Sequence, residues 1–157
     1  MKPVDQASDH DCLRACIASI FELLPGEVPQ FGAAAIGTER ASLAQDEDLR
    51  NWLSLRGIGL LHVTNPKIVF AQGGKSAQCP WGYCVAGGKS PRGDWDHAIV
   101  YDARDGEPKM AHDPHPSRAG FAGDPSYFTC FLLEDPGLLK RRFEVGASQG
   151  KEAPYTV

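Results

Sequence analysis

The chain has 157 residues, 42% of them hydrophobic and 23% charged, with a net charge of -4. At that length roughly 70% of the unfolded chain's surface is buried on folding, enough for a single domain with its own core. The acidic balance argues against a nucleic-acid binder held by phosphate neutralisation. No run of about 18 apolar residues is present to cross a membrane, so neither nucleic acid nor membrane is an expected partner.

The stretch MKPVDQASDHD at the N-terminus is polar and acidic and lacks a signal-peptide pattern, so a cytoplasmic protein is expected. Five cysteines are too few, and odd in number, for a disulfide scaffold. Free thiols are expected, one of them with a chemical role. The cluster Lys140, Arg141 and Arg142 reads as a solvated face.

In chain order, Asp9 or Asp11 can cap a helix over about 12–24. Leu13, Cys16, Ile17, Ile20, Phe21 and Leu24 recur at intervals of three and four, giving one apolar face that Pro25-Gly26 ends. EVPQFGAAAIGTERAS reads as a loop. A second helix fits SLAQDEDLRNWLSLRG, with Ser42 as cap, Leu49, Trp52 and Leu53 facing inward, and Gly57 as stop. The pattern then changes to strands at 58–63, 83–88, 97–102, 108–113 and 127–134. ARDG (103–106) joins two of them as a tight hairpin, and 87–93 and 114–125 read as surface loops. The domain spans 1–145 and a polar tail covers 146–157. Helices followed by antiparallel strands give the α+β class: an N-terminal helix packed on a sheet of about four to six strands, with helix start and strand end meeting at one cleft.

Four residues carry the chemistry of a thiol acyl-transfer site. Cys12 opens the first helix as nucleophile, His97 opens a strand as base, Asp113 ends the next strand candidate and orients the base, and Gln6 can donate to an oxyanion together with the Cys12 amide. A free thiol ionises near pH 8.5, and making it mostly thiolate at neutral pH takes roughly 2.7 kcal/mol. A helix N-terminus supplies about 0.3–1 kcal/mol, so an imidazolium beside the sulfur is needed to activate it. Asp11 opposes that ionisation unless it caps the helix. Pairing 102 with 108 across the hairpin puts His97 directly opposite Asp113, within reach of a hydrogen bond. Ser90, Arg92 and Trp95, beside His97 in the chain, are candidates for substrate contact.

Plainer roles compete at each position. Cys12 and Cys16 can be core thiols, Asp113 a turn opener before Pro114, His97 a structural histidine and Gln6 a surface residue. Trp81, Trp95 and Tyr101 suit core or cleft wall. Cys79, Cys84, His112 and His115 allow a zinc-protein alternative, although their spacings fall off those of structural zinc sites. A non-catalytic peptide-binding module is the other alternative.

Q-x5-C at a helix start, HAIVY on a strand and HDP after a hairpin resemble the papain-like fold. Within it they resemble the bacteriocin-processing peptidases that cut after a double-glycine leader, and their stand-alone relatives. The resemblance runs over about residues 4–115 and includes DLRNWLSLRGIGLLHV as second helix and following strand. It implies a triad of Cys12, His97 and Asp113 with Gln6 at the oxyanion hole, a peptide or protein substrate and no cofactor. Leu13 stands where that family has glycine, and the loop GGKSPRGDWD departs from it. The expected activity is that of a cysteine peptidase or isopeptidase working through an acyl-enzyme, with deamidation or acyl transfer open to the same machinery.

Overall fold

The computed structural model describes residues 1–32, 41–64, 82–105 and 108–133. Within them the chain is α+β: two helices and a five-stranded antiparallel sheet. Cys79, Trp81, the basic cluster at 140–142 and the tail 146–157 lie outside the described residues.

Helix α1 (Cys12–Phe21) starts where the pattern predicts and stops earlier. Glu22 takes a left-handed conformation, φ 58°, and Leu23 N–H bonds back to the Ala18 carbonyl. This is a helix-ending geometry that needs no proline. Pro25–Glu27 then form one 3-10 turn. Leu24, counted on the apolar face by its spacing, is 66% exposed as a result. Asp11 occupies the cap position without a side-chain cap bond. Helix α2 (Ala41–Ser54) begins one residue before Ser42, so Ser42 falls in the first turn and is not the cap. Leu49 and Leu53 are buried, and Trp52 packs edge-on against Phe31. Gly57 at φ 71° turns the chain directly into the sheet, with its N–H on the Ser54 carbonyl.

The strands are β1 (Ile58–Thr64), β2 (Tyr83–Lys89), β3 (Asp96–Asp102), β4 (Lys109–His112) and β5 (Tyr127–Leu133), in the order β1-β5-β2-β3-β4. Ile17, Leu49, Leu53, Ile58, Val85 and Val100 form the core between helices and sheet. The alternate residues Cys84 and Ala86 of β2, with Phe128 and Cys130 of β5, build a second cluster closed by Tyr101 and Phe121. Alternation along a strand sorts these two sets to opposite faces.

Two expectations change. Gly87 and Gly88, which fall both in the 83–88 strand and in the 87–93 loop expected from sequence, are buried β2 residues, so the strand expectation holds and the loop starts after Lys89. A Cβ on Gly87 would lie 2.1 Å from the Tyr127 ring, so glycine here makes room for that ring against the strand. The β3–β4 pairing also differs: Asp102 faces Lys109 and Tyr101 faces Met110, then a bulge shifts Val100 onto His112. Asp113 therefore lies just beyond β4 and is not the ladder partner of His97. Against β2, β3 keeps one unbroken register from Asp96↔Lys89 to Asp102↔Tyr83.

Candidate active site

Cys12 is the first residue of α1. The first helical bond here runs from Ala15 N–H to the Asp11 carbonyl at 2.9 Å, so the amides of Cys12 and Leu13 sit at the open end of the helix. Burial pushes the Cys12 thiol up from its ordinary ionisation range. The backbone amides of Ala98, Leu13 and Cys12 and the charge of Arg92 pull the other way without overcoming it. Asp11, buried beside it, is 3.7 Å from Arg14 Nη1, and its Oδ1 has no hydrogen-bond partner.

His97, at the start of β3, is 4% exposed, and Asp113 is 2% exposed. The His97 Nε2–H donates to Asp113 Oδ1 at 2.8 Å. That bond assigns the proton to Nε2 and leaves Nδ1 with a free lone pair. Burial lowers the His97 pKa; the Asp113 bond and charge partly oppose this, while Arg92 and His115 reinforce it. Burial also works against ionisation of Asp113. It is outweighed by the His97 bond and by the amides of Gly120 and His115, which hold the carboxyl below its usual range. The resting site is thus a neutral thiol, a neutral imidazole and an ionised carboxylate, not the preformed thiolate–imidazolium pair that helix and imidazole arithmetic suggested.

Cys12 and His97 line the same cleft of about 360 Å³, together with Asp46, His62, Asp96 and Tyr127. A second hollow of about 300 Å³, bordered by Asp9, His10 and Trp95, shares Cys12, Gln45 and Asp96 with the first. The two therefore adjoin at Cys12. Burial, with the nearby charges of Asp46 and Asp96, pushes the Tyr127 hydroxyl up to about 12. Tyr127 is therefore a protonated donor at neutral pH. His62 Nε2 lies 3.8 Å from Asp46 Oδ1.

The other expected residues divide. Gln6 is anchored by its main chain, N–H to the Pro114 carbonyl at 3.0 Å. One of its side-chain N–H groups donates to the Ser8 carbonyl at 2.9 Å, and its Oε1 is buried without a hydrogen-bond partner. One side-chain N–H remains to donate, but Gln6 lines neither hollow at Cys12, whereas Cys12 lines both and Leu13 the first. Ser90 is buried and closes the 90–95 turn, its N–H on the Trp95 carbonyl and its Oγ accepting from Arg92 N–H. Arg92 reaches Ser117 Oγ at 3.2 Å and acts on Cys12 and His97 by charge. Trp95 is 47% exposed, covers Gly93 and borders the second hollow.

The alternative metal ligands do not gather among the described residues. His112 Nε2 is 2.9 Å from the Val4 carbonyl, His115 Nδ1 pairs with Ser117 Oγ, and Cys84 is buried against Cys130. No group of three or more His, Cys, Asp or Glu among the described residues could hold a metal ion.

Sequence reasoning missed Asp46, His62 and Tyr127 on the cleft wall, and Arg118 and Gly120 around Asp113. Asp96 and Tyr127 carried some signal, as neighbours of a catalytic candidate and of a strand start. Asp46 carried none, being one of several acidic residues on a polar helix face. Compared with known proteins, the chain matches no family model, no curated protein and no solved structure. Among the described residues no helix is long and apolar enough to cross a membrane.

Proposed function

We propose that this chain is a thiol-dependent hydrolase of papain-like architecture, a peptidase or isopeptidase with Cys12 as nucleophile, His97 as base and Asp113 as orienting acid. The observation that carries this reading is the buried bond from His97 Nε2 to Asp113 Oδ1 at 2.8 Å, made by a histidine that lines the same cleft as Cys12. A histidine and an aspartate this deeply buried serve structure more simply as apolar residues. A buried His–Asp pair whose histidine shares a cleft with a thiol is what acyl chemistry requires.

With the thiol neutral at rest, His97 Nδ1 takes the Cys12 proton as the sulfur attacks the substrate carbonyl carbon. General base assistance of this kind is worth about 10²–10⁴ in rate. The oxyanion is held by the Cys12 and Leu13 amides, with Gln6 as an auxiliary donor. The imidazolium, stabilised by Asp113, gives its proton to the leaving amine as the C–N bond breaks, leaving a thioester on Cys12. Water then loses a proton to His97 and attacks the thioester. The acid departs and the thiol regains its proton. Two hollows that meet at Cys12 suit a peptide lying across the thiol.

The test is labelling with a peptide chloromethyl ketone, followed by peptide mapping. Modification confined to Cys12 is expected. Label absent, or spread over Cys16, Cys84 and Cys130, refutes the proposal. The thiol held up by burial favours one other reading, a cleft that binds peptides without cleaving them; such a protein would bind peptide yet leave the electrophile unreacted.

A further inference from the structure

Asp113 lies past the last paired residue of β4, so the sheet does not hold it. Its carboxylate is fixed by three donors: His97 Nε2 and His115 N–H on Oδ1, and Gly120 N–H on Oδ2. Two of these belong to the loop that folds back from Asp113 itself. Surface loops are more mobile than the elements they join, so a further tie to the body of the protein steadies this cradle.

That anchor is Arg118. Its Nη1 donates to the Asp113 main-chain carbonyl, and its Nη2 meets Asp5 Oδ1 at 2.5 Å. Its N–H bonds the His115 carbonyl at 3.0 Å. Its backbone stands at φ 51°, in the left-handed region that non-glycine residues rarely adopt. Such a conformation is strained and persists where the surroundings over-determine it. Asp5 is one residue before Gln6, whose N–H is on the Pro114 carbonyl, and His112 Nε2 reaches Val4 O. Residues 4–6 thus run along the end of β4, and one guanidinium ties them to the acid.

We propose, resting on the catalytic reading above, that Arg118 is a positioning residue: it clamps the Asp113 main chain to the segment carrying Gln6, and so fixes His97 in its working orientation. An isolated surface ion pair of this kind contributes little. The second prong on Asp113 and the strained backbone are what set Arg118 apart.

Arg118→Gly separates positioning from folding, because glycine favours φ 51° while removing the guanidinium. The readout is iodoacetamide alkylation of Cys12 against pH, with thermal melts in parallel. The melting temperature should be held or raised. Alkylation at pH 7 should slow at least about ten-fold, the scale of a small misplacement of reacting groups. The profile should move to higher pH, since burial keeps an unassisted Cys12 thiol protonated. The groups that act on His97 by charge or titration, Asp113, Arg92 and His115, are unchanged in this variant. Arg118→Lys should recover part of the rate. Asp5→Asn, which takes the charge from the outer prong and from the His112 Nε2 contact at 3.6 Å while leaving the Asp113 prong in place, should show a smaller shift in the same direction. Arg104→Ala, removing an exposed arginine paired with Asp102 outside the site, should keep the parent profile.

An Arg118→Gly protein with the parent rate and profile overturns the proposal. So does reactivity lost, in Arg118→Gly and Asp5→Asn alike, only in proportion to the unfolded fraction. A parent protein whose Cys12 reacts no faster than its other cysteines instead removes the catalytic reading, and the positioning role with it.

Discussion

Asp113→Asn replaces one acceptor oxygen by NH2 in a site where every neighbour is a donor. Oδ1 accepts from His97 Nε2 at 2.8 Å and His115 N–H at 2.9 Å, and Oδ2 from Gly120 N–H at 2.9 Å. If the asparagine oxygen stays toward His97, the NH2 confronts the Gly120 N–H. If it turns toward Gly120, the NH2 confronts His115 N–H and forces His97 into the tautomer protonated on Nδ1, which cannot accept the thiol proton. Either way a buried donor is left unpaired, at about 1–3 kcal/mol. At roughly 2–4 °C per kcal/mol for a chain of this size, the melting temperature should fall by about 2–12 °C. Even in the better orientation the imidazolium exchanges a carboxylate partner for a neutral oxygen and loses about half of the roughly 1.5–3 kcal/mol of such a bond, or roughly 4- to 13-fold in rate. Labelling by a peptide electrophile at pH 7, scaled to folded protein, measures that loss. An asparagine variant that stays folded and labels at the parent rate would remove Asp113 from the mechanism.

Three further outcomes are expected. Cys12→Ala should abolish labelling and turnover while the melting temperature moves by less than about 4 °C, roughly 1 kcal/mol; a larger fall would assign the thiol to packing. Because burial sets the His97 pKa below 6.5, the unfolded chain binds more protons than the native one just below that pH, so stability should decline from pH 7.5 to 5.5. The lowered Asp113 pKa adds a second loss as pH falls from 3.8 through its folded value. Urea titrations across this range check the sign, which a rise at pH 5.5 would contradict; labelling should fade in the same upper window as the base takes up a proton. Gly87→Ala puts a methyl against the Tyr127 ring, so overpacking should destabilise the protein by about 1–3 kcal/mol and displace the ring from the cleft. An unshifted melt would show that the ring yields freely.

The helices and most strands were legible because each has a strong local cause. Three- and four-residue spacing marks α1, Gly57 stops α2, and short apolar runs mark the strands. Boundaries failed where a non-local or less common device won. Glu22 took the left-handed turn usually given to glycine, and the loop expected from residue 87 starts only after Lys89, because Gly87 is a strand residue that admits an aromatic ring from a neighbouring strand. Cys12, His97 and Asp113 could be named because few residue types perform this chemistry. The resting charge state could not, because it depends on burial that three separate elements create together. Arg118 was equally hidden: its partners Asp5 and Asp113 lie far apart in the chain, and nothing local distinguishes it from any exposed arginine.

The bulge at Val100/Tyr101 has a consequence for how this hairpin tolerates change. It absorbs a mismatch on the outer side of β3 only, while the inner side stays locked to β2. Inserting or deleting a residue in the link from β3 to β4 would slide the outer strand, and the acid with it, but leave the histidine in place. The distance between base and acid is therefore an adjustable dimension of the scaffold, and the seat of the base is a fixed one.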